Sequence, residues 1–235
     1  MATTTKFWTW AQIKARMESE LDMEEETFID SDEFREYAND AIDVIEAHIL
    51  NLSADYFLTR STITLVDGTD EYALPSNIYA MKIRGLVYYN GSDIYEIRRI
   101  KQYQKFLEYR IARFEATSAD DYMYFVYNED ISEPKILLSP ASHEDGTYVE
   151  IWYLRQANRL ELDADVCDIP EFISYIFDYL RERAFFKHQA GSAKHMMARE
   201  DRDASLQRAI DTLTNMTPDT DNEIEADLSI YREMA

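Results

Sequence analysis

Cysteine is nearly missing from this chain: Cys167 is the only one in 235 residues. An intrachain disulfide is thereby excluded, a cysteine-built metal site is argued against, and a reducing cytoplasm fits the composition. Glycine is scarce as well, with five in the whole sequence, and these read as one per turn. They assemble neither a phosphate-cradling loop nor a Gly-x-Ser-x-Gly nucleophile elbow. No apolar run approaches the length that spans a bilayer. The opening MATTTKFWTW has no basic segment leading into an apolar one, which predicts a chain without a secretory signal. Positive charge is short too: 24 Lys and Arg stand against 46 Asp and Glu, for a net charge of −22. A nucleic-acid grip needs clustered cations to displace counterions, so the balance argues against tight DNA binding. The acidity then serves solubility, or a surface that touches DNA without holding it.

What is present suits a globular protein. Apolar residues make up 46 % and aromatic residues 13 %, enough for a sizeable core in one domain or a core with an elaboration. Thr9 and Gln12 have capping-box spacing, and Trp10, Ile13, Met17 and Leu21 then recur on one helical face. The acidic stretch 22–26 ends that helix and reads as a solvated loop. Asp30 and Glu33 have cap spacing for a second helix. Its stripe is Phe34, Tyr37, Ala38, Ala41, Ile42, Ile45, Ile49 and Leu52.

Near Thr59 the period changes from helical to alternating. Strands are predicted at 62–66, 72–75, 81–89, 94–97, 122–127, 135–138 and 148–154, with a helix over 103–114. Asp67-Gly68, Asn90-Gly91 and Asp145-Gly146 read as hairpin turns joining consecutive strands. Helix returns after Asp168, with Pro170 in the first turn and a core face of Phe172, Ile173, Ile176, Phe177, Leu180 and Ala184. Gly191 interrupts, a more polar helix runs over 193–213, and Pro218 ends it. The expected class is α+β. The helices of both chain ends form a bundle, an antiparallel β-rich region is inserted between them, and a C-terminal arm extends beyond. The expected divisions are 1–57 and 158–216 for the bundle helices, 58–157 for the insertion and 217–235 for the arm.

Catalytic patterns are thin. His48, His143, His188 and His195 lack His-Glu-x-x-His spacing. His188 and His195 share a helix face only if Gly191 does not break the helix, and they read as two polar helix residues. Cys167 reads as a half-buried structural thiol. Asp219-x-Asp221-x-Glu223 opens like a calcium loop, but Ile224 replaces the required glycine and Ile230 the closing glutamate. The run Glu200-Asp201-Arg202-Asp203 reads as a solvated helix face. No catalytic, metal or cofactor residue is assigned. With 46 acids, a carboxylate-using glycoside hydrolase stands as an alternative.

Three stretches carry a resemblance. They are WTWAQIKARMESELDMEEETFIDSDEFREYANDAIDVIEAHILNLSADYFLT, EYALPSNIYAMKIRGLVYYNGSDIYEIRRI and DIPEFISYIFDYLRERAFFKHQ. In order and spacing they resemble the head–tail adaptor (connector) proteins of short-tailed bacteriophages. The first matches a tryptophan-led helix before an acid-capped long helix, the second a Leu-Pro turn into a strand hairpin, the third a proline-started late helix. The likeness spans about 7–215. It implies a structural, non-enzymatic subunit of the virion, made in the host cytoplasm and without a membrane partner. It also implies a dodecameric ring of neighbouring copies on the portal protein, contact with tail or nozzle proteins, and a channel through which DNA passes without specific binding. The family's C-terminal arm reaches into the portal. Here Ile224, Leu228, Ile230 and Tyr231 are the arm's apolar, partner-binding candidates. Two features depart from the pattern: the β-rich middle is larger than in the smallest adaptors, and the arm is strongly acidic. Another phage neck or tail protein is the nearer alternative.

Overall fold

The computed structural model describes residues 7–21, 29–53, 55–90, 93–112, 122–130, 133–141 and 147–216. The chain divides into two units, Met1–Ala54 with Ala157–Ala235, and Asp55–Gln156.

The first unit begins with a two-residue strand β1 (Trp8–Thr9) and helix α1 (Trp10–Glu20). The capping box forms: Gln12 N–H donates to Thr9 Oγ1 at 3.3 Å, and Thr9 N–H donates to Gln12 Oε1 at 3.2 Å. Trp10, Ile13 and Met17 are buried, while Leu21 is only half-buried at the cap. Helix α2 (Ser31–Leu52) is capped by Asp30, whose carboxylate accepts from Asp32 N–H. The Glu33 carboxylate is reached by the Asp30 backbone, accepts from Tyr37 Oη and pairs with Lys187. The buried stripe of α2 holds Phe34, Ala38, Ala41, Ile42, Ile45 and Ile49 as expected, but it ends on Leu50, and Leu52 is exposed.

Later in this unit come β10 (Val166–Cys167), a 3₁₀ turn at Pro170–Phe172, α4 (Ile173–Gln189) and α5 (Ala193–Met216). The first strand pairs antiparallel with β10, so that Trp8 lies opposite Cys167. Helix α4 packs against α1, α2 and α5. That placement explains why its burial exceeds one stripe: Tyr175, Tyr179 and Glu182 are buried along with Phe172, Ile176, Phe177, Leu180 and Ala184. Trp8 meets Phe177 edge-on at 5.3 Å, and the Arg16 guanidinium lies 4.2 Å from the Phe177 ring centroid. The segment entering from the other unit is pinned to α2. Asn39 exchanges two hydrogen bonds with the Leu160 backbone, Glu46 accepts Ala157 N–H, and Asp43 receives Arg159.

The second unit contains β2 (Leu58–Thr64), β3 (Glu71–Ala73), β4 (Ile78–Asn90), β5 (Asp93–Glu96), β6 (Arg98–Arg99), α3 (Tyr103–Ala112), β7 (Met123–Asp130), β8 (Glu133–Ser139) and β9 (Tyr148–Arg155). Its strands form two four-stranded sheets, ordered β2-β9-β4-β5 and β3-β8-β7-β6. Inward side chains alternate along the strands: Leu86 and Tyr88, Tyr124 and Val126, Ile136 and Leu138, Val149 and Ile151. They join in one apolar cluster. Helix α3 rides on β7, with fully buried Phe106 5.9 Å from Phe125.

Two of the expected hairpins are replaced by crossings between sheets. The turn at Asp67-Gly68 does not pair the flanking strands, because β2 pairs with β9 and β3 with β8. Tyr72 Oη closes this link by accepting Val66 N–H at 3.0 Å, and distant backbone bonds from Leu65 to Thr147 and from Leu138 to Asp70 hold its two sides. Likewise β8 pairs with β7 and β3, not with β9; Asp145-Gly146 lies outside the described residues. The β4–β5 pair does form, with Asn90 opposite Asp93. Gly85 is not in a turn; it sits within β4 opposite Trp152, at a register shift. Ala80 and Met81 take the left-handed conformation, φ 45° and 54°, where the β4–β9 register also slips. Among the described residues, no helix is long and apolar enough to cross a membrane.

Candidate interaction surfaces

The buried polar groups of the first unit meet between α4 and α5. Gly191, with φ of 79°, breaks the two helices apart, so His188 ends α4 and His195 opens α5. Ser192 Oγ accepts His195 N–H at 3.2 Å. Glu182, only 5 % exposed, meets His195 Nε2 at 3.2 Å and Arg202 Nη1 at 3.4 Å. Arg202 therefore turns inward, although its neighbours Asp201 and Asp203 are solvated as expected. This acid lies between an imidazole and a guanidinium and ties one helix to the next. Cys167 is fully buried, more deeply than its sequence setting suggested, and burial pushes its thiol up to about 11, far from a reactive thiolate. His143 and the acidic stretch 22–26 lie outside the described residues. Among those described, no three His, Cys, Asp or Glu side chains converge as metal ligands.

In the second unit a shallow cavity of about 470 Å³ is lined by Asp70, Glu71, Tyr103, Arg110, Phe125 and Leu137, among others. Its charges are already paired. Arg110 reaches Asp70, and Lys135 Nζ donates to Glu71 at 2.7 Å. That bond and one from Tyr127 hold the Glu71 carboxyl below its usual range. A carboxylate so stabilised is a poor proton donor near neutral pH.

Exposed apolar side chains gather on two surfaces. On the outer side of β9 and β4, Tyr89 stacks on Tyr148 at 4.8 Å, and Ile94, opposite Tyr89, is 63 % exposed. Farther along β9, Trp152 Nε1 donates to Glu150 at 2.7 Å, and Arg60 pairs with the same glutamate. The Trp152 ring is thus set against the sheet by a side-chain bond. In the first unit, the α4–α5 hairpin carries exposed Phe186, Met196 and Met197. Sequence reading missed both patches, since alternating tyrosines are equally compatible with an inner and an outer face. The arm residues Ile224, Leu228, Ile230 and Tyr231 lie outside the described residues.

The sequence profile of the SU10 adaptor protein family matches residues 8–224. The chain belongs to the SU10 adaptor protein family. The match runs through both units and into the arm as far as Ile224. Membership makes the chain a bacteriophage adaptor, structural in kind, which associates with other phage head or tail proteins in the virion. No curated protein matches the sequence. In this SU10 adaptor family member the exposed apolar side chains gather on the outer β4–β9 sheet face and on the α4–α5 hairpin.

Proposed function

We propose that this chain is a head–tail adaptor subunit, without catalytic role, that forms a closed ring between portal and tail. The family match carries the reading. The physical support is the contrast between exposed apolar patches and a cavity whose charged groups are mutually paired. Small subunits that line a channel do so by head-to-tail contacts that close on themselves. The division of labour follows the two units. The helices of the first unit form the bundle, the inserted β unit supplies side surfaces, and the arm, with Ile224, Leu228, Ile230 and Tyr231, attaches to the portal protein. A dodecameric ring with tail or nozzle proteins below it completes the assembly. A net charge of −22 per copy keeps DNA from sticking as it passes, within the range of about 8 Å that salt leaves unscreened.

Imaging and mass measurement of the protein mixed with its portal test this. The expected result is a closed ring on the portal and a monomer or weak oligomer alone. A stable dimer without portal affinity would overturn it.

A further inference from the structure

The second unit carries cations that its many acids leave alone. Arg98 and Arg99 on β6, Lys101 beyond it and Lys105 in the first turn of α3 are all exposed. Among the described residues of the same unit, Arg60, Arg84, Arg110 and Lys135 each reach a carboxylate. Among the described residues, the side chains of these four cations make no ion pair and no hydrogen bond. Exposed Glu96 and Glu108 flank them without pairing. Four like charges this close repel one another, and a chain with 46 acids has ample means to neutralise them. Their place in the fold is an edge. In its sheet β6 pairs on one side only, in parallel with β7, so the other side of the strand is open among the described residues. Phe106, buried against Phe125, seats α3 on β7, the strand that β6 pairs with.

The same sequence holds a complement. Residues 217–235 contain six acids against the single Arg232. Five of them, Asp219, Asp221, Glu223, Glu225 and Asp227, occupy alternate positions. An extended chain therefore carries all five on one side, about 7 Å apart, whereas a helix would scatter them around its axis. Arg99 and Lys101 are likewise two apart.

We infer that the β6–α3 cationic edge of one copy is a docking site for the acidic segment 219–227 of a second copy. A row of acids at alternate positions meets a cationic run in which Arg99 and Lys101 share that spacing, and the open strand edge accepts an extended chain. Duplex DNA is the competing polyanion, but the chain's net charge of −22 repels it. The contact joins different patches on the two copies, so repetition runs head to tail. It does not rest on the portal reading. The portal and the cationic edge compete for one arm, so the two are separable by mutation.

A labelled peptide of residues 217–235 is titrated with the full chain and followed by anisotropy. Binding is expected, weakening as salt rises, and falling about tenfold or more in the R98E/R99E/K101E/K105E chain. The R98Q/R99Q/K101Q/K105Q chain should fall between, and circular dichroism checks that both variants fold. A peptide with its acids changed to lysine should bind the glutamate chain and not the native one. Absence of peptide binding, equal binding to native and reversed chains, or failure of the lysine peptide to bind the glutamate chain overturns the inference. So does a duplex DNA probe that binds the native edge more tightly than the peptide.

Discussion

Gly191 N–H donates to His195 Nδ1 at 3.1 Å, which leaves Nε2 as the protonated nitrogen facing Glu182. A backbone N–H is an obligate donor, so the imidazole has one available tautomer. One ring thus bonds the backbone leading into α5 and one oxygen of a buried carboxylate on α4. His195→Leu removes both bonds and should cost roughly 1–3 kcal/mol. His195→Gln keeps a donor for Glu182 and should recover part of that loss. Urea unfolding of the three proteins decides it, and equal midpoints for Leu and Gln would remove the polar tie from the account.

The core prediction concerns two helices that pack against each other. Ile45 on α2 and Ile176 on α4 are both fully buried. Truncating either to alanine deletes buried methylenes and leaves space that the packed helices cannot fully close. Each should cost about 2–5 kcal/mol, read from denaturant midpoints at unchanged m. Unchanged stability in both variants would place the core elsewhere.

The same pairing shows what was legible in the sequence. Thr9 and Gln12 announced the capping box, and a 3.6-residue stripe announced α2, because both are local consequences of helix geometry. The strand order was not local. Asp67-Gly68 correctly marks a reversal, but a turn says nothing about which strand each arm will pair with, and bonds such as Leu65 to Thr147 decide that. Glu182 and His195 belong to no motif at a spacing of thirteen residues; they meet only once Gly191 folds α5 back. The cations at 98–105 were visible in the sequence, yet only the structure distinguishes them from their paired neighbours.

Ala80 lies in the left-handed region and is exposed, at the slip in β4. There a Cβ costs about 1–2 kcal/mol that glycine escapes. Glycine gives back part of that gain through the greater freedom of the unfolded chain. Ala80→Gly should therefore leave stability unchanged or raise it by up to about 1 kcal/mol, against the usual loss for alanine to glycine in a strand. A loss of that size in the melt would show that the φ angle is not under strain.

Acid should loosen α4 from its neighbours. Burial raises the Glu20 carboxyl, but hydrogen bonds from Arg16 and Arg181 outweigh it and hold the group below its ordinary 4.5. Hydrogen bonds from Lys187 and Tyr37 do the same for Glu33. A depressed carboxylate contributes stability above its unfolded value, and the contribution is lost as pH falls through the folded one. Arg181→Met should cost under about 1 kcal/mol at pH 7, because the pair is partly solvated. That gap should close as pH drops below 4.5, while the wild type itself weakens. A gap that widens in acid would reverse the sign.

The arm offers the decisive deletion. Residues 217–235 are too polar to build a core, yet Ile224, Leu228, Ile230 and Tyr231 are apolar side chains that solubility does not require. Ile224, Leu228 and Tyr231 are spaced to share one helical face on a partner. Each such side chain, fully buried, contributes roughly 1.5–3 kcal/mol before the cost of ordering the segment. Ordering offsets much of that, so one arm binds weakly. In the proposed ring, the arms together would hold firmly, because each docked arm raises the effective concentration of the next. Acids on the arm should meet Lys or Arg on the portal, making attachment faster at low salt. Deleting 217–235 should leave the melting curve of the remaining chain unchanged and abolish portal decoration in negative-stain images. Reversing Arg98, Arg99, Lys101 and Lys105 should lose copy-to-copy docking but keep decoration. Wild-type occupancy of portals by the truncated chain would move the attachment site away from the arm, to the exposed sheet face or the α4–α5 tip.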